Sequence, residues 1–117
     1  MIAVRAGVSL FLLAIASLAP LATAGGFVDV LDTPAQSTPL AAKSLMQAVV
    51  RGGDRLVAVG QRGQILVSGD GGVTWKQSAV PVSSDLTAIY FVDGKQGWTV
   101  GHDGVVLHTD DAGDTWK

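Results

Sequence analysis

The sequence of 117 residues contains no cysteine, and all ten of its acidic residues are aspartates. The lack of cysteine excludes a disulfide framework, a thiolate metal site, a thiol nucleophile and the acylated cysteine of a lipoprotein anchor. Charged residues make up only 15% of the chain, and the formal net charge is −2. No basic stripe is present, which argues against a nucleic-acid partner. The composition therefore indicates a protein held together by packing alone.

Glycine, by contrast, is abundant, with 15 residues. Such a density indicates many turns and positions of positive φ, and it argues against long helices. The apolar fraction of 48% is high for a soluble protein. Much of it lies in the first two dozen residues, so the N-terminal segment has to be interpreted separately.

Residues 1–24 have the three parts of a secretory signal peptide. Arg5 supplies the positive charge, residues 6–19 form the apolar region, and Ala22-Thr23-Ala24 provides small residues for the peptidase. We predict cleavage after Ala24. An uncleaved membrane anchor is the alternative, but the apolar run is shorter than the roughly 20 residues that a span needs. The sequence thus predicts an exported protein with no stable membrane span after cleavage.

The remaining chain contains an internal repeat. A shift of 41 residues aligns Leu45–Lys76 with Leu86–Lys117 without a gap. The identical pairs include Gly53/Gly94, Gly60/Gly101, Gly63/Gly104, Asp70/Asp111, Gly72/Gly113 and Trp75/Trp116. A period of about 40 residues is typical of a four-stranded propeller blade or of a helical pair.

Short apolar runs, separated by glycine and aspartate, favour the blade over the helical pair. A helix loses on the order of 1 kcal/mol at each interior glycine, and no 3.6-residue apolar stripe is present. We predict strands over Leu45–Val50, Leu56–Val59, Ile65–Val67 and Thr74–Val80 in blade 1. Blade 2 repeats them over Leu86–Val92, Gly97–Gly101, Val105–His108 and from Thr115 onward. Several of these runs are apolar on both faces, as expected of a blade packed between two neighbours.

Each repeat ends in Ser/Thr-x-Asp-x-Gly-x-Thr-Trp, the pattern of an Asp box. The residues are Ser68, Asp70, Gly72, Thr74 and Trp75 in the first copy, and Thr109, Asp111, Gly113, Thr115 and Trp116 in the second. The short oxygen-bearing side chains can accept hydrogen bonds from turn amides. The glycines suit backbone that a Cβ opposes, and the tryptophans bury a ring against the hairpin. We assign these residues to turns and not to calcium binding or catalysis, because a catalytic pair is not expected to recur once per blade.

The run from Gln96 to Trp116 resembles the repeat of the photosystem II stability/assembly factor-like propellers. The Gly97-Trp98-x-Val100-Gly101 element followed by the Asp box carries the resemblance. In the first repeat Leu56-Val57 stands in place of the Gly-Trp pair. The resemblance implies an all-β, multi-bladed propeller that binds protein partners, uses no cofactor and is not an enzyme. It implies the thylakoid lumen in a photosynthetic host and the periplasm in other bacteria.

The predicted organisation is a signal peptide (1–24), an N-terminal segment (25–44), blade 1 (45–85) and a truncated blade 2 (86–117). Phe27–Leu31 matches the end of blade 1 weakly, so we expect an outer strand there that could close a ring. Propellers need about 4–8 blades, so two repeats are expected to be part of a longer protein. Self-assembly of several short chains is the alternative. The mature peptide alone is expected to be poorly stable or to aggregate through open strand edges.

An Asp-box sialidase-like hydrolase is the alternative function. Its chemistry needs clustered arginines, a tyrosine nucleophile and an acid/base aspartate. The candidates are Arg51, Arg55, Arg62 and Tyr90. We assign the arginines to solvated turns, and Tyr90 to the core or the channel lining in the first strand of blade 2. His102 and His108 lack an evident third ligand, so no metal site is predicted. A contact face for protein partners could include the loops Asp54–Arg55, Gln61–Arg62 and His102–Asp103.

Overall fold

A computed structural model of the protein describes residues 26–117, so the predicted signal peptide and its cleavage site lie outside the described residues. The described part is all-β, with two antiparallel sheets and three short 3-10 turns at Ala41–Lys43, Gln61–Gly63 and His102–Gly104. Within residues 26–117, no helix has the length and hydropathy of a membrane span.

The first sheet contains four strands in the order β1-β2-β3-β4. Their bounds are Met46–Gly52, Arg55–Gly60, Ile65–Ser68 and Lys76–Gln77. The second sheet contains three strands in the order β5-β6-β7, with bounds Leu86–Phe91, Gly97–Gly101 and Val106–Thr109. The two sheets follow the predicted repeat, so the blade names are kept: blade 1 for the first sheet and blade 2 for the second.

The core lies between the two blades. Val57, Val59 and Ile65 on one face of blade 1 are fully buried. They form one apolar cluster with the residues that blade 2 and the segments next to its strands contribute, which include Leu86, Phe91, Val105, Leu107 and Trp116. Because side chains alternate along a strand, Ala58 and Leu66 lie on the opposite face of blade 1, where they pack with Ala41. Blade 1 is therefore covered on both faces, as its apolar strands predict.

The fourth strand of blade 1 is much shorter than predicted. The prediction placed it over Thr74–Val80, whereas β4 comprises only Lys76–Gln77. Beyond it, the Ser78 hydroxyl donates to the Gly113 carbonyl (2.7 Å), and Ala79 forms a parallel bridge with Thr115. The chain leaves blade 1 over these residues, since the Ser78 amide still donates to the Ile65 carbonyl of β3 (2.9 Å), whereas the Ser78 hydroxyl and Ala79 already contact the second repeat.

The N-terminal segment differs from the expectation as well. Phe27–Leu31 forms no strand; its side chains are exposed, and the chain turns from Val30 onward. Asp29 closes this turn, since its carboxylate accepts from the Leu31 amide (2.9 Å) and its carbonyl from the Asp32 amide (3.0 Å). Such local side-chain bonds compete with strand pairing. The pairing of this segment with the last blade of a ring stays a prediction.

Candidate protein-interaction site

The first aspartate turn, Ser68–Trp75, is built from side-chain bonds to its own backbone. The Ser68 hydroxyl donates to Asp70 Oδ1 (2.8 Å) and accepts from the Gly72 amide (2.8 Å). The Asp70 carboxylate also accepts from the Thr74 amide (2.9 Å) and from the Thr74 hydroxyl. The hydrogen bonds that Asp70 accepts lower its pKa from 3.8 to about 2, and the bond from the Thr74 hydroxyl has the largest effect.

The second aspartate turn, Thr109–Trp116, repeats this geometry. The Thr109 hydroxyl donates to Asp111 Oδ1 (2.8 Å) and accepts from the Gly113 amide (3.0 Å). The Thr115 hydroxyl and amide both donate to Asp111, and they lower its pKa to about 2. A carboxyl group with such a pKa is ionised at neutral pH, so it is a poor proton donor for acid catalysis.

The two tryptophans close the turns in the same way and differ in burial. Each indole Nε1 donates to the carbonyl of the turn glycine at 3.0 Å, Trp75 to Gly72 and Trp116 to Gly113. Trp116 is buried in the interblade core, where its ring meets Phe91 edge to face at a centroid distance of 6.4 Å. Trp75 is only half-buried. The second turn is therefore part of the core, whereas the first turn lies at its outer side.

A cleft of about 460 Å³ opens between the two blades, at the end of the sheets where the β1–β2 and β5–β6 turns and the second aspartate turn meet. Its floor includes glycine backbone at Gly52 and Gly94, and the two hairpin turns touch beside it at Gly53 and Gly94. A Cβ on Gly53 (φ +60°) would lie 3.1 Å from the Gly94 Cα. Its lining residues are Gly52, Asp54, Arg55, Gly94, Lys95, Asp110, Asp111 and Ala112.

Charges of both signs line this cleft. Arg55 Nη1 donates to Asp114 Oδ1 at 2.6 Å, so an ion pair joins blade 1 to the second aspartate turn. Lys117 pairs with Asp110 at 3.3 Å. Among the described residues, no ion pair engages Asp54 or Lys95. The cleft thus presents one carboxylate and one ammonium group to a partner, above a backbone floor.

The three loops predicted as a contact face do not lie together. Asp54 lies in the β1–β2 turn and Arg55 begins β2, whereas Gln61–Arg62 and His102–Asp103 follow β2 and β6 at the opposite end of the antiparallel sheets. At that opposite end, Asp85, which directly precedes β5 of blade 2, caps the blade 1 loop, since its Oδ1 accepts from the Arg62 amide at 2.7 Å. The structure therefore separates the predicted face into two ends, of which one holds the interblade cleft.

The residues considered for hydrolysis or metal binding are not brought together. Arg55 is paired with Asp114 at one end of the sheets, and Arg62 lies at the other. Arg51 is in β1, and Tyr90 in β5 is 65% exposed. His102 lies in a 3-10 turn and His108 in β7 against Trp98. A search of residues 26–117 finds no group of three or more metal-ligating side chains.

Sequence reasoning missed the contacts between the blades. Arg55 was considered only for hydrolysis and as part of a contact-face loop, and Asp114 and Asp85 were assigned no role, yet all three form side-chain contacts between the two repeats. Their counterparts one repeat away are of other types: Gln96 for Arg55, Val73 for Asp114 and Ser44 for Asp85. The repeat therefore contains no signal that could have identified them.

Two repeated antiparallel sheets, each with an aspartate turn after its third strand and packed face to face, define the class: a β-propeller-type repeat protein. The chain belongs to the family described as photosynthesis system II assembly factor YCF48, whose model matches residues 39–117. This confirms the resemblance seen in the sequence.

Curated relatives carry a related name. The chain is 37% identical over 65 residues to the chloroplastic photosystem II stability/assembly factor HCF136 of Oryza sativa subsp. japonica. It is 33% identical over 63 residues to that of Arabidopsis thaliana. Each match covers 50% of this chain, and 15% and 16% of the respective relatives. The matched part is thus a small share of the length of these relatives.

Proposed function

We propose that the protein is an exported propeller scaffold that binds protein partners without catalysing a reaction, in the manner of photosystem II assembly factors. The family match, which includes both repeats, is the observation that carries this proposal. The curated relatives are named as stability/assembly factors of photosystem II. In a photosynthetic host the expected location is the thylakoid lumen, and in another bacterium it is the periplasm.

The interblade cleft is our candidate for the contact with the partner. It combines a floor of glycine backbone at Gly52 and Gly94 with an acidic group, Asp54, and a basic group, Lys95. A protein segment with charges of both signs could pair with both groups. Exposed ion pairs contribute little affinity, so the charges would serve orientation and partner choice more than binding strength.

Binding is favoured over catalysis by the chemistry of the two most perturbed carboxyl groups. Asp70 and Asp111 are occupied by bonds to their own turns, and a pKa of about 2 makes them weak bases. The arginines of a sialidase-like site would have to converge on one substrate carboxylate, whereas Arg55 and Arg62 lie at opposite ends of the sheets. Incubation of the full-length protein with a fluorogenic sialoside tests the alternative, and turnover above background would favour it.

The proposal is tested by photo-crosslinking in the host. A benzophenone amino acid replaces Asp54 in the cleft and, as a matched control at the opposite end, Asp103. We expect a discrete protein adduct from position 54, identified by mass spectrometry, that includes a photosystem II subunit if the host is photosynthetic. If neither position gives a discrete adduct, the proposal is contradicted. An adduct from position 103 alone would place the contact at the other end of the sheets.

Export is tested separately on the same tagged protein. Fractionation and N-terminal mass spectrometry should find the chain in the exported fraction, beginning at Gly25. A chain that is retained in the cytoplasm with residues 1–24 intact would contradict the proposed location.

A further inference from the structure

A second pocket, of about 250 Å³, lies between the N-terminal segment and the turn from β2 to β3, at the end of the sheets opposite the interblade cleft. Residues 36–44 form one wall, and Gln61, Arg62 and Gln64 form the other. All of its lining side chains except that of Leu40 are polar, and none of the lining residues is acidic in the part of the chain that the structure describes. The pocket is therefore a polar site with a basic group and without a carboxylate.

Gln64 is buried in the wall of this pocket with an unsatisfied amide. It is 6% exposed, and within residues 26–117 its side-chain Oε1 has no hydrogen-bond partner. A buried polar group without a partner lowers stability, so it needs an explanation. The counterpart of Gln64 one repeat later is Val105, which is buried in the interblade core. The same position of the repeat thus accepts an apolar side chain, and packing alone does not require a glutamine there.

Arg62 supplies the positive charge of the pocket. Its backbone is held in the left-handed region (φ +56°), and its amide donates to Asp85, at the end of the linker between the blades, at 2.7 Å. Asp85 does not line the pocket, and no ion pair among the described residues engages the Arg62 guanidinium. A guanidinium group binds carboxylates through two parallel hydrogen bonds. Arg62 is thus available to an anion in the pocket.

The wall opposite Arg62 is fixed by contacts with blade 1. The Thr38 amide donates to Gln77 Oε1 (3.0 Å), and Gln77 Nε2 donates to the Gln36 carbonyl (2.9 Å). Ala41 is 3% exposed and packs on the face of blade 1 that points away from blade 2. The pocket is therefore formed before a ligand binds, as most sites for small molecules are.

The size and the polar groups of the pocket define a class of ligand. Its volume is far larger than the roughly 30 Å³ of one water, and it is below the roughly 300–1,000 Å³ of pockets for drug-sized molecules. Arg62 favours a carboxylate, and Gln64 Oε1 needs a hydrogen-bond donor. A hydroxyl group is a better donor here than an ammonium group, because Arg62 repels a second positive charge and the pocket offers no carboxylate to offset it.

We propose that this pocket binds a small hydroxy acid of the size of one sugar residue. The carboxylate of the ligand pairs with Arg62, one of its hydroxyl groups donates to Gln64 Oε1, and its C–H surface contacts Leu40. This inference goes beyond the proposed function, because it concerns a small molecule and does not depend on which protein the chain binds.

The test titrates the isotope-labelled chain with three ring compounds and follows the side-chain amide signals of Gln64 and Gln61 by NMR. D-Glucuronate carries both the carboxylate and the hydroxyl groups, glucose lacks the carboxylate, and tetrahydropyran-2-carboxylate lacks the hydroxyl groups. We expect saturable shifts with glucuronate. Affinity should be at least about tenfold weaker without the hydroxyl groups and about twofold to fivefold weaker without the carboxylate, because Arg62 is exposed. Shifts that do not saturate, or equal affinities for glucuronate and tetrahydropyran-2-carboxylate, would overturn the proposal and leave Gln64 with water only.

Two substitutions separate the contributions of the wall residues. Gln64→Val introduces the residue that the second repeat has at this position, and it should weaken glucuronate binding by about tenfold without reducing the folded fraction. Arg62→Gln should remove the preference for glucuronate over glucose, whereas the control Arg51→Gln, which removes an equal charge from β1, should retain it. Unchanged glucuronate affinity in Gln64→Val, or an equal loss of preference in Arg51→Gln, would contradict the assigned contacts.

Pulse proteolysis gives a second readout that does not require a very stable chain. A ligand that binds only the folded state raises the ratio of folded to unfolded protein by a factor of 1 + [L]/Kd, or about tenfold at a concentration ten times Kd. We expect this rise with glucuronate in the natural chain and not, at the same concentration, in Gln64→Val. A rise of equal size in both chains would show that glucuronate binds elsewhere.

Discussion

Replacement of Gly63 by alanine is the sharpest test of the packing between the blades. Gly63 lies in the left-handed region (φ +71°), where an L-residue with a Cβ loses about 1–2 kcal/mol. An added Cβ would also overlap the Val82 carbonyl oxygen and lie 3.0 Å from its carbon. Because the obstacle is backbone, the linker has to move, which adds about 1–3 kcal/mol. We expect Gly63→Ala to cost about 2–5 kcal/mol in total.

Gly104→Ala is the matched control, since it has the same φ and meets no atom of the described residues within 4 Å. It should cost only the conformational part, about 1–2 kcal/mol. Pulse proteolysis over a urea series at low protein concentration measures the folded fraction of each variant without requiring a very stable protein. If Gly63→Ala and Gly104→Ala reduce the free energy of unfolding equally, the close approach of the linker to blade 1 is refuted.

Three further predictions concern the turns and the cleft. Trp116→Ala should cost about 3–5 kcal/mol by the same assay, because it removes a buried ring from the interblade core. A double-mutant cycle of Arg55→Ala and Asp114→Ala should give a coupling below about 1 kcal/mol that falls with salt, since the pair is exposed. Asp70 and Asp111 have folded-state pKa values of about 2, below the ordinary 3.8, so their stabilising effect is complete above about pH 4 and is lost as the pH falls to about 2. Acid titration of the folded fraction should show this loss, and the asparagine variants at both positions should flatten it; an unchanged slope would contradict the assigned bonds.

Local patterns in the sequence were sufficient to predict the fold class and most of the strands. β6 has the predicted bounds, Gly97–Gly101, and β7 is displaced by one residue from the predicted Val105–His108. The reason is that glycines lie at the strand ends, and the same glycine positions occur in both copies of the repeat. The turn contacts of Asp70 and Asp111 follow from the same local spacing, because their partners lie at most four residues away.

The structural features that the sequence did not predict depend on contacts between residues that are far apart along the chain. The fourth strand of blade 1 ends early, where the Ser78 hydroxyl and Ala79 contact Gly113 and Thr115 of the second repeat. The Arg55–Asp114 pair joins the two blades beside the cleft, and its members are 59 residues apart and are not repeated. At the N-terminus, the weak match of Phe27–Leu31 to the end of blade 1 predicted a strand, whereas the structure has a turn that Asp29 closes.

The claim that the chain consists of two consecutive blades packed face to face depends most directly on the position of Gly113 over blade 1. Nuclear Overhauser effects between the Gly113 α protons and the methyl groups of Val57 and Val67 measure this contact in solution. Because a Cβ on Gly113 would lie 3.4 Å from both side chains, we predict strong cross-peaks to both. Folded blades without these cross-peaks would contradict the account.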